Sequence, residues 1–219
     1  ADILQLPELK PFPRTDPIPI SYSQERVWFL QHLDSNNRAY DSQATLTFKG
    51  ELDRDALEKS LTEIVRRHEI YRTTFIEINC QASQVIHPPA KISVPLTDIS
   101  SLNSSRRLAE AERLIKQAAE PRFELAKIPL VRWSLLKLSD VEHILIHCEH
   151  HIVHDGWSFV RFLWELTDIY RAFSEGRPSP LPDPAVQYVD FVYWQRQWME
   201  RKAAQRQLSF WQKKLRGCP

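Results

Sequence analysis

Between residues 142 and 173 the hydrophobic period of the chain changes once, from two to about 3.6, and the change falls on a single turn. Ile144, Ile146 and Cys148 alternate with His143, Leu145, His147, Glu149 and His151, which predicts a strand over residues 142–151. Phe159, Phe162, Leu163, Leu166, Ile169, Tyr170 and Phe173 then follow the i, i+3, i+4, i+7 stripe of an amphipathic helix. The residues between, His150-His151-Ile152-Val153-His154-Asp155-Gly156, must therefore make a strand-to-helix turn. Period two puts the His150 and His151 side chains on opposite faces. A turn of this kind can hold an imidazole at the mouth of a cleft. Asp155 stands where an N-cap or an ion-pair partner is wanted. Gly156, one of only four glycines, suits a backbone geometry or a close approach that a side chain would hinder.

The same reading along the chain predicts helices over residues 23–33, capped by Ser23, over 53–68, capped by Asp53, and over 104–120, 186–200 and 203–215. Strands are expected over 43–49, 71–79, 83–87 and 131–138, the last pairing as an antiparallel hairpin with 142–151. Helices and strands interleave throughout, so the fold class is α/β. Pro7, Pro11, Pro13, Pro17 and Pro19 mark residues 1–20 as a lead-in. Residues 21–185 form the main body, and Pro178, Pro180, Pro182 and Pro184 carry the chain to a helical segment over 186–219. That segment holds seven Lys or Arg against Asp190 and Glu200, either a solvated face or a docking face for an acidic partner.

With 29 basic and 28 acidic side chains the formal charge is +1, and nothing global points to nucleic acid or an anionic membrane. Cys80, Cys148 and Cys218 are odd in number and far apart, as expected of reduced thiols in a cytoplasmic protein. No segment has the charge and apolar run of a signal peptide or the length of a membrane span. Gly50, Gly156, Gly176 and Gly217 build no phosphate-cradling loop, so ATP or NAD chemistry is not expected. The rival chemistry is a metal site, since His147, Glu149 and His151 share one strand face. Same-face neighbours on a strand are roughly 7 Å apart, so three in a row converge poorly, and no metal is expected.

Four segments together resemble the condensation domains of nonribosomal peptide synthetases. They are Ser21-Tyr22-Ser23-Gln24-Glu25-Arg26-Val27-Trp28-Phe29-Leu30, then Arg67-His68-Glu69-Ile70-Tyr71-Arg72-Thr73-Thr74-Phe75, then the double-histidine segment through Gly156-Trp157-Ser158, then Tyr188-Val189-Asp190-Phe191-Val192-Tyr193-Trp194-Gln195. They occur in the family's order. The resemblance covers residues 21–219, about half a family member, and implies the N-terminal lobe alone. The implied fold is a chloramphenicol acetyltransferase-like half, an α+β two-layer sandwich, of a V-shaped two-lobed domain with its active site in a tunnel between lobes.

The activity implied is amide formation, in which an acyl or peptidyl thioester on a donor carrier protein passes to the amine of an aminoacyl thioester on an acceptor carrier. The 4'-phosphopantetheine arms belong to those partners, and this chain binds no cofactor of its own. The resemblance makes His151 the catalytic residue, as proton acceptor or as the group that orients the amine and stabilises the tetrahedral intermediate. Imidazole titrates near neutrality and suits either role. His150 and Gly156 are implied to be structural, and Asp155 to form an ion pair with Arg72. Glu149 and His154 depart from the commonest form of the motif, which carries an apolar and a small residue there. Ala39-Tyr40 and Gln43-Ala44-Thr45-Leu46 are similar to domains that begin an assembly line with a fatty-acyl donor. The alternatives are an inactive half-domain that docks carrier proteins, and a lobe of an epimerization domain.

Overall fold

The computed structural model describes residues 6–15, 17–34 and 36–218. In chain order the elements are β1 (Ile18–Pro19), α1 (Tyr22–Leu33), β2 (Asp41–Lys49), α2 (Arg54–Arg67), β3 (Thr73–Ile78), β4 (Gln81–Ile86), β5 (Leu96–Asp98), α3 (Ser104–Ala119), β6 (Val131–Ser139), β7 (Glu142–His150), α4 (Gly156–Ser174), α5 (Tyr188–Met199) and α6 (Lys202–Lys214), with a 3-10 turn over Glu69–Arg72 before β3. The fold class is α/β.

The larger sheet has the order β2-β7-β6-β5, and the smaller has β1-β4-β3. β7 is an inner strand, antiparallel to β2 on one side and to β6 on the other, with His150 opposite Asp41 and Glu149 opposite Val131. Both its faces are covered. Ile146 and Cys148 pack with Ala111 of α3, while Leu145 joins Leu57, Leu61 and Ile64 of α2 and Phe162, Leu166 and Ile169 of α4. To the helix-on-sheet pair formed by α2 and α4, α3 adds cover on the opposite face. Ile169 is fully buried, which by its transfer energy alone contributes about 1.5–3 kcal/mol.

Local chemistry sets the helix starts. Asp53 caps α2 as expected, accepting from the Ala56 N–H at 2.9 Å. Helix α1 is capped by Ser21, not Ser23, because Gln24 three residues on closes a capping box: Gln24 N–H donates to Ser21 Oγ at 3.1 Å and Ser21 N–H to Gln24 Oε1 at 2.9 Å.

Of residues 1–20, expected as a lead-in, residues 1–5 and 16 lie outside the described residues, and the remainder contributes to the fold. Ile18 and Pro19 pair with β4, Ile20 is fully buried, and the N–H of Phe12 and the Arg14 guanidinium bind the buried Asp190 at the start of α5. Its prolines lack N–H donors, and extended edge pairing with side-chain acceptors suits such a stretch.

Candidate active site

The turn between β7 and α4 opens on a cavity of about 710 Å³ lined by His151, Tyr40, Gln24, His68, Tyr71 and Asp155, among others. Its floor is fixed from three sides. The His151 N–H donates to the Tyr40 carbonyl at 2.8 Å, which prolongs the β2–β7 pairing by one residue. Gln24 of α1, 3% exposed, donates through Nε2 to the Ile152 carbonyl at 3.1 Å. Ile152 and Val153 are buried in the core beside Cys148. The expected strand ends at His150, one residue earlier than its period implied, and His151 begins the turn.

His150 and His151 part company as the alternation requires. His150 is 1% exposed between Tyr40 and Phe123, and its Nδ1 accepts from the Ile152 N–H at 3.2 Å. Burial, with the charge of His151 adding, pushes its pKa down to about 4. His151 is exposed, and its Nδ1 lies 3.0 Å from the His154 carbonyl oxygen. A ring nitrogen facing a carbonyl must be the N–H, so in the neutral ring the lone pair sits on Nε2, which has no hydrogen-bond partner among the described residues.

Asp155 caps α4: its Oδ1 accepts from the Ser158 N–H at 2.8 Å and from the Ser158 hydroxyl at 2.7 Å. Burial favours its neutral form, but these two bonds, with His154 and His151 nearby, outweigh it and hold the carboxyl below the ordinary carboxylate value. The ion pair with Arg72 implied by the resemblance is not formed. Arg72 closes the 3-10 turn, and the register of β3 on β4 ties it to His87, whose N–H bonds the Arg72 carbonyl at 2.9 Å and whose carbonyl takes the Arg72 Nη1. Gly156 is the first residue of α4 and is not among the glycines with positive φ, and a Cβ there would meet nothing within 4 Å. The turn therefore places no backbone demand for glycine at this position.

The metal alternative is corrected in its third member. Within the described residues, His147 and Glu149 are joined by His154, not by His151. Trp133 Nε1–H donates to His147 Nδ1 at 2.8 Å, so His147 carries its proton on Nε2 and donates to Glu149 Oε2 at 2.7 Å. Both His147 nitrogens are thereby occupied, and a metal ligand needs one lone pair free. The cluster is an imidazole–carboxylate network that does not fit a metal donor set. His154 Nδ1 meets the same Glu149 oxygen in an ion-pair contact. Burial would raise the Glu149 carboxyl, but His147 and His154 outweigh it and bring it to about 2.

Three participants were missed in the sequence. Glu165 of α4 accepts from Arg67 Nε at 3.3 Å and lies 2.8 Å from His68 Nε2, which fixes one side of the cavity. The signal for it was its place between Phe162, Leu166 and Ile169 on the buried stripe. Gln24 and Trp133 were legible only as a helix residue and a core aromatic. All three cysteines are free, Cys148 buried, and among the described residues no helix is long and apolar enough to cross a membrane.

The Condensation domain family model matches residues 14–219. Chondramide synthase cmdD of Chondromyces crocatus is 44% identical over 94% of this chain, which covers 5% of that protein. Malpinin synthetase of Mortierella alpina is 36% identical over 96% of this chain, which covers 3% of that protein. Among solved structures, the X-domain in complex with OxyB from teicoplanin biosynthesis is 27% identical with a TM-score of 0.86, covering 99% of this chain and 47% of that one. The starter condensation domain of rhizomide synthetase RzmA shares the fold at 20% identity and a TM-score of 0.82, covering 92% of this chain and 48% of that one. This chain thus spans about half the length of the solved domains and a small part of the curated relatives. With four motifs in order, the shared fold and a family match over nearly its whole length, the chain belongs to the condensation-domain family of nonribosomal peptide synthetases.

Proposed function

We propose that this chain is the histidine-bearing N-terminal lobe of a domain that joins a carrier-bound acyl or peptidyl thioester to a carrier-bound aminoacyl thioester. The observation that carries the reading is the placement of His151, whose Nδ1 lies 3.0 Å from the His154 carbonyl oxygen at an open cavity. In the neutral ring that contact takes the Nδ1–H and leaves the lone pair on Nε2. The acceptor amine attacks the donor thioester carbon, and a C–N bond forms. The C–S bond then breaks, and the donor arm leaves as a thiol. Nε2 of His151 takes the proton that the amine sheds and can return it to the departing sulfur. No acyl-enzyme is needed, and among the described residues no Ser or Cys side chain is hydrogen-bonded to His151.

Cavity shape supports the same reading. His151 is exposed and shares an open cavity with Tyr40, Gln24 and Tyr71, which leaves room for a partner lobe and the pantetheine arms of two carrier proteins. A single-turnover experiment tests this: donor-loaded and acceptor-loaded carrier proteins are mixed with this lobe and its second lobe. Transfer of the donor mass onto the acceptor carrier supports the reading. A second reading, carrier docking without turnover by this lobe alone, is favoured by the chain's spanning only about half of the solved condensation domain.

A further inference from the structure

The two positions at which the double-histidine segment departs from its commonest form, Glu149 and His154, touch one another. Glu149 is the penultimate residue of β7 and His154 precedes the cap of α4, so the contact staples the strand to the turn that presents His151. The staple is itself anchored in the sheet. Trp133 of β6 holds His147 at 2.8 Å, His147 holds Glu149 at 2.7 Å, and Ser42 of β2 reaches the other Glu149 oxygen at 3.4 Å. Among the described residues the Glu149 carboxylate meets these two imidazoles, His147 as a neutral hydrogen-bond donor and His154 in the charge contact, with no Lys or Arg to share it.

The His154 side chain is 1% exposed, boxed by Tyr71, Phe159 and Phe162, although the residue lines the same cavity as His151. What it can control is its own backbone, and its carbonyl is the group that receives Nδ1 of His151.

We propose that Glu149 and His154 are positioning residues for His151: the carboxylate at the end of β7 holds the His154 ring, and the held residue aims its carbonyl at Nδ1 of His151. The chain Trp133–His147–Glu149–His154–His151 thereby selects the Nδ1–H tautomer and leaves Nε2 as the free base. An anchor built on an ionised carboxylate in an apolar box is strong, since breaking it leaves a buried charge with one partner fewer. The inference rests on the reading of His151 as the reacting imidazole.

The test reads tautomers without substrate, so it is separate from any assay of amide formation. In the folded chain labelled with 15N at its eight histidines, long-range proton–nitrogen correlation spectra distinguish Nδ1–H from Nε2–H at each ring, with His→Gln variants for assignment. The expected result is a single Nδ1–H form for His151 in the parent. In Glu149→Gln and in His154→Phe that bias is lost and His151 exchanges between tautomers, while the distant His32 and His87 keep their signals. His154→Phe retains a ring against Phe159 and Phe162, so failure of Glu149→Gln to fold leaves the test intact. An unchanged His151 tautomer in either folded variant would overturn the proposal. So would a stoichiometric metal in the parent that Glu149→Gln loses. A correct tautomer with no amide product would sink the functional reading and spare this one.

Discussion

Asp155 Oδ1 accepts the main-chain N–H of Ser158 at 2.8 Å, and this bond makes Asp155 the N-cap of the helix that follows the double histidine. An aspartate in that role acts on helix stability first. Replacement by Ala is expected to cost about 0.5–2 kcal/mol, with Asn and Ser restoring most of it. A buried ion pair broken at one end would cost roughly 3–5 kcal/mol instead. Denaturant midpoints of Asp155→Ala, Asp155→Asn, Arg72→Ala and the Asp155→Ala/Arg72→Ala double variant decide the matter. A coupling above about 1 kcal/mol between the Asp155 and Arg72 substitutions would restore the ion pair that the structure lacks.

Gly156 starts helix α4 in ordinary helical geometry with open space where a Cβ would go. Gly156→Ala should therefore stabilise the fold by about 0.4–1 kcal/mol, through the entropy of the unfolded chain. Urea unfolding at constant pH measures it. A loss of more than about 1 kcal/mol would mean that the turn does need glycine.

Acid should weaken this fold in two separate windows. His150 has its pKa brought from 6.5 to about 4 by burial, with His151 adding. A depressed imidazole favours the neutral ring in the folded state, so its contribution is complete above about 6.5 and is lost as pH falls towards about 4. Glu149 has its carboxyl brought from 4.5 to about 2, burial notwithstanding, by His147 and His154. Its contribution is complete above about 4.5 and is lost between there and about 2. Each amounts to on the order of 3 kcal/mol. Stability measured by denaturant from pH 7.5 to 4.5 should fall in the parent and fall less in His150→Gln, where His143, also lowered by burial, still titrates. An equal slope in both would show that His150 does not contribute.

The strand, the turn and helix α4 were legible because the hydrophobic period names them without help from the rest of the chain. The cap of α1 was misread as Ser23, although Gln24, three residues after Ser21, offered the capping-box partner that marks Ser21. The partner of Arg72 was not legible, because it depends on how β3 registers against β4 and brings His87 alongside. His147 and Glu149 read as the polar face of a half-wet strand. They are buried because Phe159 and Phe162 of α4 lie over them and because Trp133 and His154, distant in sequence or across the turn, satisfy them. Local pattern carries no information about such packing between elements.

If Nε2 of His151 serves amide formation, as proposed, the joined product depends on it. Donor-loaded and acceptor-loaded carrier proteins, with both lobes present, are followed by mass spectrometry for the joined product on the acceptor carrier. His151→Ala removes an exposed ring and should leave the fold unchanged while cutting the rate by about 10²–10⁴-fold. Asp155→Asn, which keeps the cap, should lose far less. Equal rates in His151→Ala and the parent would contradict the claim.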